Sequence, residues 1–198
     1  YSPHKRFLNL NLKNKGSQLL AIGRFVEKKA PYLTLLAYNL AKEKCPELSL
    51  KMVGDGDLLF ICKDLCSSLN IPDVEFLGVQ TPDQIADLMV DSFCFIQHSK
   101  QAGNGDKEGT PVAILEAMAA GLPIVSTKHA GISEVVSDGL NGYLVEEGDL
   151  VGMANRIVEL YFDRDRAKEF GSKGKDLIRK KFQQEDYFQQ INKLIYVD

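Results

Sequence analysis

Lys107-Glu108-Gly109-Thr110-Pro111-Val112-Ala113-Ile114-Leu115-Glu116-Ala117-Met118-Ala119-Ala120-Gly121-Leu122-Pro123 reads as a loop that becomes a buried helix. Thr110 suits the N-cap and Pro111 the first helical position, where a missing N–H had no intrahelical partner anyway. The residues after Pro111 are almost wholly apolar, so the helix belongs inside the molecule. Two carboxylates break the pattern, Glu108 just before the helix and Glu116 about one and a half turns into it. Gly109 leaves no side chain in front of the helix mouth. Free backbone N–H groups and the positive end of the helix dipole can hold an anion there. An anion at the mouth, a carboxylate at its lip and another along its flank suit a ligand with a phosphate and several hydroxyls.

Outward from this stretch, one rhythm repeats. Residues 18–23 are a short apolar run closed by glycine, the pattern of a buried strand. Pro31 opens a helix with Leu35, Leu36, Tyr38 and Leu40, and Pro46 stops it. Further strands are expected at 48–53, 74–77, 92–97, 124–126 and 143–145. Helices are expected at 58–69, 81–90, 131–136, 150–162, 164–182 and 185–197. Alternation of this kind gives an α/β fold, a Rossmann-like parallel sheet with helices on both faces and a helical C-terminal extension. In such sheets ligands sit beyond the carboxyl ends of the strands. The glycine-rich and polar features gather at those ends: Gly23-Arg24, Gly54-Asp55-Gly56, Gly78, Gln97-His98-Ser99 and Glu108-Gly109.

Composition sets the outer bounds. With 198 residues, 44% of them hydrophobic and 26% charged, the chain can bury a core without staples. A net charge of -3 points away from nucleic acid. Arg179-Lys180-Lys181 reads as a solvated helix end. Cys45, Cys62, Cys66 and Cys94 lack a second pair at metal-ligand spacing and read as free thiols in a reducing compartment. No apolar run approaches the about 20 residues that span a bilayer, so the chain is not expected to cross a membrane by itself. It starts at Tyr1 without an initiator Met, and reads as a piece of something longer.

Several motifs are weighed on their chemistry. Gly54-Asp55-Gly56 follows a strand, but Leu59 stands where a dinucleotide fingerprint needs its third glycine, so a tight turn is preferred to a nicotinamide site. No Gly-Lys-Ser/Thr is present, which excludes a P-loop. Arg24, Lys28 and Lys29 lie just past the first strand, where two cations would neutralise a diphosphate leaving group. Glu116 has apolar neighbours and needs partners, and two ribose hydroxyls would serve. His98 could be a base. No nucleophile stands at triad spacing, however, so it reads as a wall or core residue, and His129 as a loop residue near the crevice. Asp55, Asp57 and Asp106 form no recognisable metal cluster, and a metal-independent mechanism is expected.

Residues 19–182 resemble the C-terminal, donor-binding half of a two-domain (GT-B) glycosyltransferase of family 4, the glycosyl transferases group 1 type. The EX7E pair Glu108 and Glu116, set in EGTPVAILEAMAAGLPIVST, carries the likeness. Gly131-Ile132-Ser133-Glu134-Val135-Val136, Asp138-Gly139-Leu140-Asn141-Gly142, AIGRFVEKKAP and MVGDGD support it. The resemblance implies that Arg24 and Lys29, beyond Gly23, hold the donor's diphosphate and stabilise it as it leaves. It implies that Gly109, Thr110 and Val112 offer backbone N–H groups, that Glu116 binds the ribose, and that Glu108 sits against the sugar. The strand ends near Gly54 and Gly78 would flank the base. The implied donor is a UDP-, GDP- or ADP-sugar, with no further cofactor and no obligatory metal, and transfer retains configuration.

The family's acceptor-binding domain has no room in these residues. Residues 1–16 are read as the remnant of the interdomain linker, 17–182 as the nucleotide-sugar-binding domain, and 183–198 as a helix crossing back to the other domain. Tyr187, Phe188, Ile191, Leu194 and Ile195 form its stripe. The acceptor, a saccharide or a lipid-linked one, would be met through that absent domain or a partner chain. The expected location is the cytoplasm, with at most peripheral contact at the inner face of the membrane, and the expected role is surface polysaccharide synthesis. A non-catalytic nucleotide-sugar-binding subunit and a sugar-nucleotide epimerase remain alternatives.

Overall fold

Gln18–Ile22 is buried on both of its faces: Leu19 and Ala21 point into one apolar layer and Leu20 into the other. That double burial explains why the strand reads as a continuous apolar run rather than an alternating one. The computed structural model describes residues 5–13, 16–109 and 111–195, with side chains as far as residue 181. Thr110 lies outside them. The strands are β1 (Gln18–Ile22), β2 (Ser49–Val53), β3 (Val74–Phe76), β4 (Cys94–Gln97), β5 (Ile124–Thr127) and β6 (Gly142–Val145), in the order β3-β2-β1-β4-β5-β6. Every pairing is parallel. The chain order reverses between β1 and β4, and the strand ends splay a crevice open there.

Among the described residues six α-helices cover the sheet: α1 (Pro31–Lys44), α2 (Leu59–Ser68), α3 (Pro82–Asp91), α4 (Val112–Ala120), α5 (Leu150–Phe162) and α6 (Arg164–Ile195). Leu35, Tyr38, Cys62, Met153 and Ile157 of α1, α2 and α5 pack on one face with Leu50, Ile96 and Tyr143 of the sheet. Met89 of α3 and Ile114, Ala117 and Met118 of α4 pack on the other with Phe95, Ile124 and Leu144. Seven of the nine residues of α4 are buried, as its composition requires. Helix α6 starts on the first layer through Ala167 and Phe170 and reaches the second through Ile178. It can lie this close to α4 because a Cβ at Gly171 would sit 1.9 Å from the Gly121 carbonyl oxygen.

The structure corrects three local expectations. Pro111 is not the first helical residue: it is extended (φ -67, ψ 122) and stands at the N-cap, so α4 begins at Val112. The expected helix over 131–136 is a single 3-10 turn, Ala130–Ile132, opened by Ala130 at φ 42. The two C-terminal helices are one, because nothing between Phe182 and Glu185 breaks the chain. Within the stretch read as linker, residues 5–9 form a 3-10 turn whose Phe7 is 1% exposed in the α4 layer. The side chains of the expected stripe over 187–195 lie outside the described residues. No helix among the described residues is long and apolar enough to cross a membrane.

Candidate functional site

Three glycines form a row across the ends of neighbouring strands. The N–H of Gly23 donates to Val53 O at 2.9 Å and that of Gly54 to Gly78 O at 2.8 Å, extending the sheet by one rung past β1, β2 and β3. Gly54 has φ +133, and a Cβ there would stand 2.0 Å from the Gly23 carbonyl oxygen. At Gly56 it would stand 2.6 Å from Phe25 O. The Gly54-Asp55-Gly56 turn is therefore glycine-rich because two backbones touch, with Phe25 N donating to Asp55 O and Leu58 N to Phe25 O. No phosphate loop is needed to explain it.

The segment leaving β1 separates its three cations. Arg24 is exposed at the crevice, and Lys29 folds back over Gly23, whose missing Cβ leaves room for the Lys29 stem 3.4 Å away. Lys28 faces elsewhere: its Nζ lies 3.0 Å from Asp106 Oδ2. A 3-10 turn over Glu27–Lys29 makes this division. Lys29, Arg24, Gly23, Thr34 and Gln97 line a cleft between β1, α1 and β4, at the point where the strand order reverses.

Glu108 reaches the same place from the other side. Its Oε2 lies 3.2 Å from Lys29 Nζ, with only 12% and 13% of the two side chains exposed. Burial lowers the pKa of the Lys29 amine; the Glu108 carboxylate opposes this, and the nearby charges of Lys28 and Arg24 add to it. Gly109 is open, with nothing within 4 Å of where a Cβ would stand. Among the described residues the first bonded amide of α4 is Ile114 N, to Pro111 O, and the N–H groups of Val112 and Ala113 have no acceptor there. Glu116 lies one turn beyond Val112 on the same side of α4. It is half-buried, finds no hydrogen-bond partner among the described residues, and burial raises its carboxyl pKa.

The loop from His98 to Glu108 is held at both ends. The N–H of Gln101 donates to Glu147 Oε2 at 3.0 Å. The other oxygen of Glu147 meets His129 Nδ1 at 2.5 Å, and His129 Nε2 accepts the Glu108 N–H at 3.0 Å. Burial works to raise the Glu147 carboxyl, but the hydrogen bonds from His129 and Gln101 outweigh it and hold the group below the usual range. His98 is fully buried; its Nε2 accepts the Gly148 N–H at 2.8 Å, and burial lowers its pKa to about 4. With Nε2 taken by the Gly148 N–H and the ring enclosed, His98 sits in the wall beside the crevice. On the loop's other flank Gly103 N donates to Glu27 Oε1 at 3.0 Å and Lys100 N to Lys28 O at 3.0 Å.

Of the residues singled out from sequence, the structure brings together Gly23, Arg24, Lys29, Gly54, Gly78 and Glu108 at the strand ends, with Gly109 and Val112 at the start of α4. Sequence reasoning missed Glu147 altogether and left His129 without a role. Their links run to backbone N–H groups, which every residue type except proline carries, so no spacing announces them. Among the described residues no three His, Cys, Asp or Glu side chains gather as a metal set, and Cys45, Cys62, Cys66 and Cys94 are free thiols.

The family model described as "Glycosyl transferases group 1" matches residues 5–177. The amylovoran biosynthesis glycosyltransferase AmsK of Erwinia amylovora is 32% identical over 156 residues, 77% of this chain and 38% of that protein. Among solved structures, Anabaena HepE in complex with UDP-glucose superposes with a TM-score of 0.77 at 25% identity, over 91% of this chain and 49% of that one. The C-terminal domain of LpcC, a glycosyl transferase group 1 family protein of Francisella tularensis, superposes with a TM-score of 0.76 at 19% identity, over 90% and 97% of the two chains. The chain spans somewhat under half the length of its curated relatives, 38% to 48% of three of them. The sheet order, the crevice at the β1–β4 reversal and the matched residues agree: this chain belongs to the glycosyl transferases group 1 family and has the Rossmann-like architecture of one half of a GT-B glycosyltransferase.

Proposed function

We propose that this chain is the donor-binding half of a retaining glycosyltransferase, taking a nucleoside diphosphate sugar into the crevice beyond β1 and β4. The observation that carries the reading is the meeting of Lys29 and Glu108, 3.2 Å apart, beside an open Gly109 and the first amides of α4. A cation, a carboxylate and N–H groups without an acceptor among the described residues, in one half-dry place, match a diphosphate joined to a polyhydroxylated ring. In this reading Arg24 and Lys29 neutralise the charge that builds on the diphosphate as the sugar's anomeric C–O bond breaks. The N–H groups of Gly109, Thr110 and Val112 hold the phosphates, and Glu116 accepts hydrogen bonds from the two ribose hydroxyls. The backbone at Gly54 and Gly78 flanks the base.

Glu108 holds sugar hydroxyls and stabilises positive charge at the anomeric carbon. Two cations and a helix end supply the diphosphate's counter-charge, so no metal is required by this scheme. The hexose goes to a saccharide or lipid-linked acceptor presented by a further domain or a partner chain, in the cytoplasm or at the inner face of the membrane. UDP-glucose in HepE and amylovoran in the name of AmsK favour a UDP-hexose and a surface polysaccharide.

A thermal-shift panel of UDP-, GDP- and ADP-sugars, with NAD as a control, tests this. One nucleotide class is expected to raise the melting temperature and NAD to leave it unchanged. A chain indifferent to every nucleotide sugar would overturn the reading. In an enzyme completed by its acceptor domain, Glu108→Gln should lower turnover more than donor affinity.

A further inference from the structure

His129 is almost fully buried, with 2% of its side chain exposed, and both ring nitrogens are engaged. The Nδ1 atom faces a carboxylate oxygen of Glu147 at 2.5 Å, and a carboxylate can only accept there, so the proton sits on Nδ1. That leaves Nε2 with a bare lone pair, and the Glu108 N–H donates to it at 3.0 Å. Glu147 fixes the ring's orientation as well as its tautomer, because its second oxygen is tied to the Gln101 N–H at 3.0 Å. One carboxylate just past β6 therefore holds the loop near its start directly and at its end through an imidazole. Gly148, next to Glu147, adds a third point by donating to His98 Nε2 at 2.8 Å.

This arrangement answers a need that the loop creates. Glu108 lies in the segment between β4 and α4, which has no regular secondary structure among the described residues, and a side chain there is placed only as well as its backbone is held. A misplacement of about 1 Å at a reacting centre can cost about a hundredfold in rate. The Lys29 contact cannot hold Glu108 in position during a reaction in which Lys29 turns to a diphosphate. Backbone anchoring through His129 is independent of that change.

We propose that His129, oriented by Glu147, is a positioning residue that fixes the backbone at Glu108 and thereby sets the grip on the donor sugar. The second half of the statement rests on the donor-site reading above. The ring acts only as the neutral Nδ1–H tautomer, since a proton on Nε2 would face the Glu108 N–H with another donor. Its role is to place Glu108, not to touch substrate.

The test uses the chain with three variants: His129→Leu, which removes both hydrogen bonds; Glu147→Ala, which removes the orienting group; and His129→Gln, whose amide can accept and donate in the same two directions. Site-resolved amide exchange is read first. The Glu108 amide should exchange at least about tenfold faster in His129→Leu and Glu147→Ala, the Gln101 amide should also speed up in Glu147→Ala, and His129→Gln should restore most of the protection. Titrations with UDP-glucose and UDP, or with the corresponding pair of the nucleotide the panel selects, are read second. His129→Leu should lose about tenfold in affinity for the sugar nucleotide and less than about twofold for the bare diphosphate. An unchanged Glu108 amide in His129→Leu overturns the proposal, and so does an equal loss for both ligands, which would mark a merely structural role. If the unmodified chain binds no nucleotide at all, the donor-site reading falls, and amide exchange alone decides whether His129 holds Glu108.

Discussion

Lys29 Nζ and Glu108 Oε2 stand 3.2 Å apart and join the exit of β1 to the end of the loop before α4, two segments held by different parts of the sheet. Both side chains are mostly out of water, so each depends on the other for compensation. A double-mutant cycle with Lys29→Met and Glu108→Gln, read by urea unfolding, should give a coupling of about 1–3 kcal/mol. Each single change should cost more than its share of the double. Additive losses would mean that the two groups do not sense each other in solution.

The separation of Lys28 from Lys29 leads to a binding prediction. Lys29 and Arg24 face the cleft, whereas Lys28 is committed to Asp106. Replacing Arg24 and Lys29 together by Ala should weaken UDP by about a hundredfold or more and uridine by less than about threefold, because two charge-assisted contacts to phosphate are lost and none to the nucleoside. Isothermal titration of both ligands checks this. Equal losses would remove the two cations from the phosphate subsite.

Glu116 is half-buried on α4 without a partner among the described residues, and burial has already raised its carboxyl pKa. Such a group gains from a ligand that brings donors. Glu116→Ala should weaken nucleotide binding by about 1–3 kcal/mol, and a 2′-deoxy nucleotide should lose part of the same amount with the wild-type chain. An affinity that ignores the substitution would place Glu116 outside the site.

Two glycines at adjacent strand ends should respond differently to the same change. Gly54→Ala meets both a φ of +133 and a backbone oxygen 2.0 Å away, whereas Gly78→Ala meets a φ of +65 and open space. The first should cost about 3 kcal/mol or more, or prevent folding; the second should cost about 1 kcal/mol, the strain of a left-handed residue alone. Thermal unfolding of the two variants distinguishes them, and similar losses would mean that the β2 exit relaxes away from Gly23.

How far the sequence can be read depends on where the information sits along the chain. Strands buried on two faces are uninterrupted apolar runs, and glycines end β1, β2 and β3 on one side of the sheet, so the architecture and its crevice are visible in the residue pattern. Glu108 and Glu116 are visible because one stands just before an apolar helix and the other interrupts it. The partition of Lys28 from Lys29 is not, since adjacent lysines look alike until a 3-10 turn sends them in different directions. The His129–Glu147 pair is hidden for another reason. Its two side chains meet each other and then take the backbone amides of Gln101 and Glu108, contacts that leave no mark in a sequence. Pro111 stands one position earlier relative to α4 than its residue type suggests: proline fits the first helical turn and an extended N-cap equally well, because its ring fixes φ near the value both require.

His98 leads to a prediction about acid. Buried, with Nε2 accepting the Gly148 N–H and Nδ1 without a partner among the described residues, its imidazole is held neutral down to about pH 4, against an ordinary value of 6.5. Between those two values the unfolded chain takes up a proton that the folded chain refuses. Stability is therefore full above about pH 6.5 and falls as the pH drops towards 4, with His98 alone accounting for about 3 kcal/mol by the lower end. His98→Gln keeps an acceptor for Gly148 and cannot titrate. Urea midpoints measured near pH 7 and near pH 5 should fall less in this variant than in the wild type, by an amount approaching about 2 kcal/mol once converted to free energy. Carboxylates common to both chains cancel in the comparison. Parallel pH profiles would show that the ring gains its proton without leaving the fold, and that the wall between β4 and the Gly148 turn opens more easily than its hydrogen bonds suggest.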